Sequence, residues 1–240
     1  MALPKLSVPY YNVKLPSDGR SVKYRPFLVK EEKLLFLAME SGEQEDMIDA
    51  VKNILTECTN IKNVDQLATF DIEYLFLRIR ASSVGETVEV NITAPDDEET
   101  DVKVEIPLDE IQVQKDKDHN PEIKLTDEII VTMGYPSLDT FIKTNFNVEG
   151  ADASSALDQV FDLAATCIKT IADKDQVYDC ADIPKAEMRE WFEQFNSKQF
   201  GLIQKFFETM PKLSHTIEIE NPNTGVKSDV VLEGLASFFG

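Results

Sequence analysis

The stretch SHTIEIENPNTGVKSDVVLEGL, Ser214–Leu235, decides how the chain is read. Ile217 and Ile219 alternate with Glu218 and Glu220, so a strand here has one apolar and one charged face. Asn221-Pro222-Asn223-Thr224-Gly225 supplies a turn, with glycine where a positive φ is tolerated. Val226–Leu232 runs back, completing one β-hairpin.

A second copy lies upstream at Glu86–Ile111, ETVEVNITAPDDEETDVKVEIPLDEI. Overlaying Pro95 on Pro222 puts Val90 and Ile92 on Ile217 and Ile219. Beyond the turn, Val102-Lys103 falls on Val226-Lys227, Ile106-Pro107-Leu108 on Val230-Val231-Leu232, and Ile111 on Leu235. The length change is confined to the turn, Asp96–Asp101 against Asn223–Gly225. An apolar helical stretch precedes each copy, Ile72–Ala81 and Phe200–Met210. Duplication and two ordinary hairpins are both open. The expectation is that the copies lie near each other, flanked by those helices.

The tips resemble the C-P-x-C-G knuckles of zinc ribbons. The four ligand positions hold Ala94, Asp97, Asn221 and Thr224, with no thiolate among them, so no structural zinc is expected. Asp116-Lys117-Asp118-His119-Asn120 begins like a calcium loop, but Pro121 stands where glycine is needed and Asp127 where the bidentate glutamate belongs. The run Asp96–Glu99 reads as a solvated turn.

With 240 residues, 42% of them hydrophobic, the chain can bury a core as one or two domains. No apolar run has the length of a membrane span, and the N-terminus lacks a signal-peptide layout. The three cysteines, Cys58, Cys167 and Cys180, have no CxxC spacing; reduced thiols in a cytosolic protein are expected, which makes the Asn91-Ile92-Thr93 sequon a chance match. A net charge of −20 argues against nucleic acid or an anionic membrane as partner. Residues 1–30 nevertheless hold six bases (Lys5, Lys14, Arg20, Lys23, Arg25, Lys30) against one acid, Asp18. Such an arm could dock on an acidic surface of its own body or of a neighbour, or stand as a solvated edge hairpin.

Pro4, Pro9 and Pro16 keep residues 4–29 extended, with strands at Tyr10–Leu15 and Val22–Val29 around the turn Ser17–Arg20. Periodicity predicts helices over 31–41, 43–58 and 70–82, the last carrying Arg78 and Arg80 as snorkelling or ion-paired side chains. Small strands follow at Ile123–Leu125 and Ile129–Val131, a short helix at 137–146, a polar linker at 147–155 and a long helix at 153–171. Asp173–Asp182 reads as a loop, and further helices begin at Pro184 and at Ser197 as cap. Four segments result: an extended basic arm, 1–30; helices plus first hairpin, 31–112; a connector with small strands, 113–150; and helices plus second hairpin, 151–240. The class is α+β: a mainly helical body, an N-terminal β arm and two similar hairpins, degenerate zinc-ribbon-like and metal-free.

No GxSxG, P-loop, GxGxxG or HExxH is present. His119 and His215 read as surface residues and the cysteines as buried structural ones. No catalytic residue, cofactor or metal is expected; an enzyme would have to use Cys58 or Cys167 with His215.

Three stretches carry a resemblance: LPSDGRSVKYRPFLVKEEKLLFLAMES (Leu15–Ser41), EYLFLRIRASSVGETVEV (Glu73–Val90) and FFETMPKLSHTIEIENPNTGVKSDVVLEGLASFF (Phe206–Phe239). Together they resemble the baseplate proteins of T-even-type contractile-tailed bacteriophages, hub subunits or hub assembly factors of about this length. The resemblance implies a non-enzymatic structural or assembly protein of the baseplate hub. Its partners would be other hub or tail proteins, in an assembly that could include further copies of the chain. It would be found in the virion tail baseplate, in the cytoplasm of the infected host, or in both. An unrelated cytosolic protein-binding adaptor is the alternative. In either case Lys23, Tyr24, Arg25, Pro26 and Phe27 are the expected partner contacts, through strand addition by the arm, and Phe238 and Phe239 are second candidates where the protein's own core does not bury them.

Overall fold

The computed structural model describes residues 6–138, 161–234 and 237. The expected helix at 137–146, the linker at 147–155, the start of the long helix, and Phe238 and Phe239 lie wholly or largely outside them. Two compact units form: the described residues up to Gln114 join those from Lys212 onward, and Lys115–Pro211 forms the other. The division differs from the four sequence segments because β10 (Lys212–Glu220) returns to pair with β5 (Gln112–Gln114), which joins the two ends of the chain in one unit.

In the first unit, β1 (Tyr11–Lys14) and β2 (Ser21–Tyr24) make the arm hairpin. Three helices follow: α1 (Val29–Ser41), α2 (Gln44–Cys58) and α3 (Thr69–Ser83). Gly42 ends α1 in the left-handed region at φ 70°, which is why the helical stripe stops there. The arm lies on its own body rather than free in solvent. The backbone N–H of Arg25 donates to the Cys58 carbonyl (2.9 Å), and that of Asn60 to the Lys23 carbonyl (3.1 Å), so the arm continues across the end of α2. The first turn of α3 takes the other end, where the Asp71 carboxylate accepts from the Ser17 backbone N–H (3.0 Å) and hydroxyl.

The repeat hairpins are β3–β4 (Thr87–Thr93, Asp101–Pro107) and β10–β11 (Lys212–Glu220, Lys227–Glu233). Their inner faces enclose one core with Leu77 of α3: Val88, Val90, Ile92 and Ile106 from one, Leu213, Ile219 and Leu232 from the other. The expected proximity of the copies is borne out. Within this unit α3 flanks them; the helix before the second copy belongs to the other unit. The overlay of the return strands needs a shift of two residues. Ile92 pairs with Val102 and Ile219 with Ser228, so Val102 matches Ser228 and Ile106 matches Leu232. The turns therefore differ by one residue, with Thr100 and Val226 closing equivalent hydrogen bonds to Ala94 and Asn221. A two-residue shift preserves parity, and the apolar face expected to be buried is the buried one.

The second unit holds a four-stranded antiparallel sheet in the order β6 (Glu122–Lys124), β7 (Ile130–Met133), β8 (Ile168–Ala172), β9 (Val177–Asp179). Residues 161–167 are helical, followed after the sheet by α4 (Lys185–Phe192) and α5 (Ser197–Glu208). Val131, Met133, Ala164, Cys167, Phe192, Ile203 and Phe206 fill its core. The long helix expected to 171 stops at 167, and Val177-Tyr178, expected as loop, is strand. Ile168-Lys169-Thr170-Ile171 is rich in β-branched side chains that lose χ1 freedom in a helix, and pairing with β7 and β9 decides the matter. Asn196, not Ser197, caps α5: its side chain accepts from Gln199 N–H while Gln199 reaches back to Asn196 N–H, a capping box.

Candidate functional site

Two places concentrate the residues singled out by sequence: the arm and the hairpin tips. In the arm, Tyr24 and Phe27 are buried and Pro26 is half-buried. Arg25 turns inward, its guanidinium 2.9 Å from the Glu31 carboxylate, with side-chain exposures of 11% and 2%. Glu31 also accepts from Leu28 N–H (2.7 Å) and Lys30 Nζ (3.0 Å). Burial opposes its ionisation, yet these donors, Arg25 first, hold its carboxyl below the usual value. Only Lys23 faces outward, its ammonium 4.3 Å from the centre of the Tyr10 ring. Of the five arm residues, the monomer's own packing occupies Tyr24, Arg25 and Phe27. Lys23 shares the exposed surface of the arm with the apolar Tyr10, Tyr11 and Leu6 and with the basic Lys14 and Arg20.

At the hairpin tips all four knuckle positions engage one another or the hairpin core. Each tip makes the same i→i+4 turn, Glu98 N–H to Ala94 C=O (2.9 Å) and Gly225 N–H to Asn221 C=O (2.8 Å), with φ of 56° and 72° at the donors. Ala94 is buried, and Asn221 is fully so, at 0% exposure. The Asn221 amide donates to Asp96 (3.0 Å) and Asp97 (2.9 Å), while its oxygen accepts from Asn223 N–H (2.9 Å). Thr224 Oγ1 donates to Asp96 (2.6 Å) and Asn223 Nδ2 to Thr100 Oγ1 (2.9 Å). The run Asp96–Glu99 is thus half of a clasp rather than a merely solvated turn. Both aspartates are held below the usual carboxylate range, Asp97 by the Thr100 hydroxyl and then the Asn221 amide, Asp96 by Thr224 and then Asn221. Periodicity could not reveal this pairing, because it joins groups more than a hundred residues apart; the knuckle spacing was the one available signal.

Arg78, expected as a snorkelling or ion-paired side chain, donates to the Ile111 carbonyl (3.1 Å) and stacks on Tyr74, tying α3 to the end of the first hairpin. His119 is not a plain surface residue. Thr209 Oγ1 donates to the Lys205 carbonyl, so it accepts from His119 Nδ1 (3.0 Å), which leaves Nε2 to accept from the Tyr135 hydroxyl (3.1 Å). The ring lies 4.9 Å from Phe206, and burial lowers its pKa. All three cysteines are free and buried. Burial pushes the Cys58 thiol up to about 11 and that of Cys167 up to about 12, which keeps both protonated at neutral pH. Among the described residues no group of three or more His, Cys, Asp or Glu is placed to hold a metal ion, and no helix is long and apolar enough to cross a membrane.

Compared with known families, residues 8–240 match the model of the family described as T4 bacteriophage base plate protein. No curated protein and no solved structure matches the chain.

Proposed function

Because that match runs through nearly its whole length, the chain belongs to the family of T4 bacteriophage base plate proteins, and from this premise we propose that it is a non-enzymatic structural or assembly protein of the baseplate hub. It would act through contacts with other hub or tail proteins, either staying in the virion tail or acting in the cytoplasm of the infected host. The single observation that carries the proposal is the family match over residues 8–240. Surface and charge agree with it: a chain of net charge −20 keeps a subunit soluble before docking, and Lys23 stands on an otherwise anchored arm. We read the hairpin pair as zinc-ribbon-like, a relic or a convergent turn, with hydrogen bonds from Asn221 to Asp96 and Asp97 joining the tips.

Mass spectrometry of purified particles beside infected lysate tests the role. Peptides in both indicate a permanent subunit, and peptides in lysate alone an assembly factor. Co-purification from lysate with no tail protein at all would sink both. Lys23→Glu is the fair test of the arm, since Arg25 is part of the monomer's own packing. Loss of tail-protein association with an unchanged fold is expected.

A further inference from the structure

An open groove of about 370 Å³ runs between α1 and α2. Ala38 and Ala50 form its floor, small enough to let the helices approach, and both are buried. Leu34 and Leu37 make one wall, Asp46 and Asp49 the other. The apolar stripe of α1 is wider than α2 can cover, leaving Leu34 at 41% and Leu37 at 52% exposure, with Phe36 at 59% beyond them. Residues 34–51 contain five acids and no base, and neither Asp46 nor Asp49 has an ion-pair partner among the described residues. Both walls are helical, so their backbone groups are already paired and cannot receive an added strand. A guest must satisfy its own backbone, cover leucines on one side and bring positive charge to the other. A second copy would bring Asp46 and Asp49 to face the same residues, on a chain of net charge −20. The chain's own basic arm is seated elsewhere, on Cys58, Asn60 and Asp71.

We propose that this groove docks an amphipathic helix of a partner protein, its apolar stripe on Leu34 and Leu37 and its lysines or arginines against Asp46 and Asp49. The groove and the hub role are separable. Helix binding can hold in a protein absent from tail assemblies, and a hub protein can lack it.

The probe is a fluorescein-labelled amphipathic Leu/Lys peptide of about 18 residues, with a Leu/Glu peptide of equal length beside it, titrated with the full-length protein at about 150 mM salt. Saturable anisotropy is expected for the Lys peptide alone. Leu34→Ser with Leu37→Ser, and separately Asp46→Lys with Asp49→Lys, should each weaken it by about tenfold or more. The second pair should also gain the Glu peptide. Glu187→Lys with Glu190→Lys, the same charge change on exposed α4 positions, should leave binding within about twofold. Equal loss in that control reduces the binding to general attraction and overturns the docking site. So does sedimentation showing wild-type self-association that Leu37→Ser abolishes, which assigns the face to a second copy. Should a variant fail to fold by circular dichroism, amide shift changes in the wild type decide; changes outside α1 and α2 overturn the site.

Discussion

The Asn221 carboxamide and the Asp97 carboxylate meet at 2.9 Å across 124 residues of sequence. This contact ties the two hairpins at their tips, where Ala94 ends their shared apolar core. Asn221→Ala should destabilise the protein by about 1–3 kcal/mol, because a fully satisfied buried amide is lost together with the turn bonds it organises. Asp97→Ala combined with it should cost less than the sum of the two, since both remove the same contact. Urea midpoints of the four proteins measure the coupling. Strict additivity would show that the tips do not act together.

Arg25 and Glu31 form the most buried ion pair among the described residues, at 2.9 Å. Arg25→Ala leaves a carboxylate at 2% exposure without its main partner and should cost about 3 kcal/mol or more. Replacing Lys23, which points outward, should change stability by less than about 0.5 kcal/mol. Chemical denaturation of both variants checks the contrast, and equal effects would contradict the inward role of Arg25.

Asp71 is buried beneath the arm turn, and burial raises its pKa despite the two donors on Ser17. A group raised in the folded state contributes stability that is complete below its unfolded pKa and lost as pH rises through the folded one. Asp71→Asn keeps an acceptor for Ser17 N–H and removes the buried charge. Relative to this variant, the wild type should therefore lose stability between acidic and neutral pH, while Asp71→Ala should be about 1–3 kcal/mol less stable than Asp71→Asn. A wild-type advantage that grows with pH would refute the account.

His119 is packed neutral between Thr209, Tyr135 and Phe206, with its pKa lowered by burial. Its contribution is complete above the unfolded value of about 6.5 and is lost as pH falls through the lowered folded pKa. The imidazole proton resonances should titrate below that value in the native protein. Titration at or above it would mean the ring is free in solvent.

Much was legible in the chain itself. Alternation at Val88–Ile92 and Ile217–Ile219, with turn residues between strands, is local chemistry, and it determined both hairpins, the parity of their faces and the absence of thiolates at their tips. Helical periodicity likewise located α1 to α3 within a few residues. Tertiary structure alone decided the pairing of the tips and the two-residue correction of the return strands, because these depend on which surfaces meet across the fold. It also turned Arg25 inward, since a guanidinium reads the same in sequence whether it faces water or a buried glutamate. And it made Ile168–Ala172 a strand: a β-branched run satisfies either period until neighbouring edges offer it hydrogen bonds.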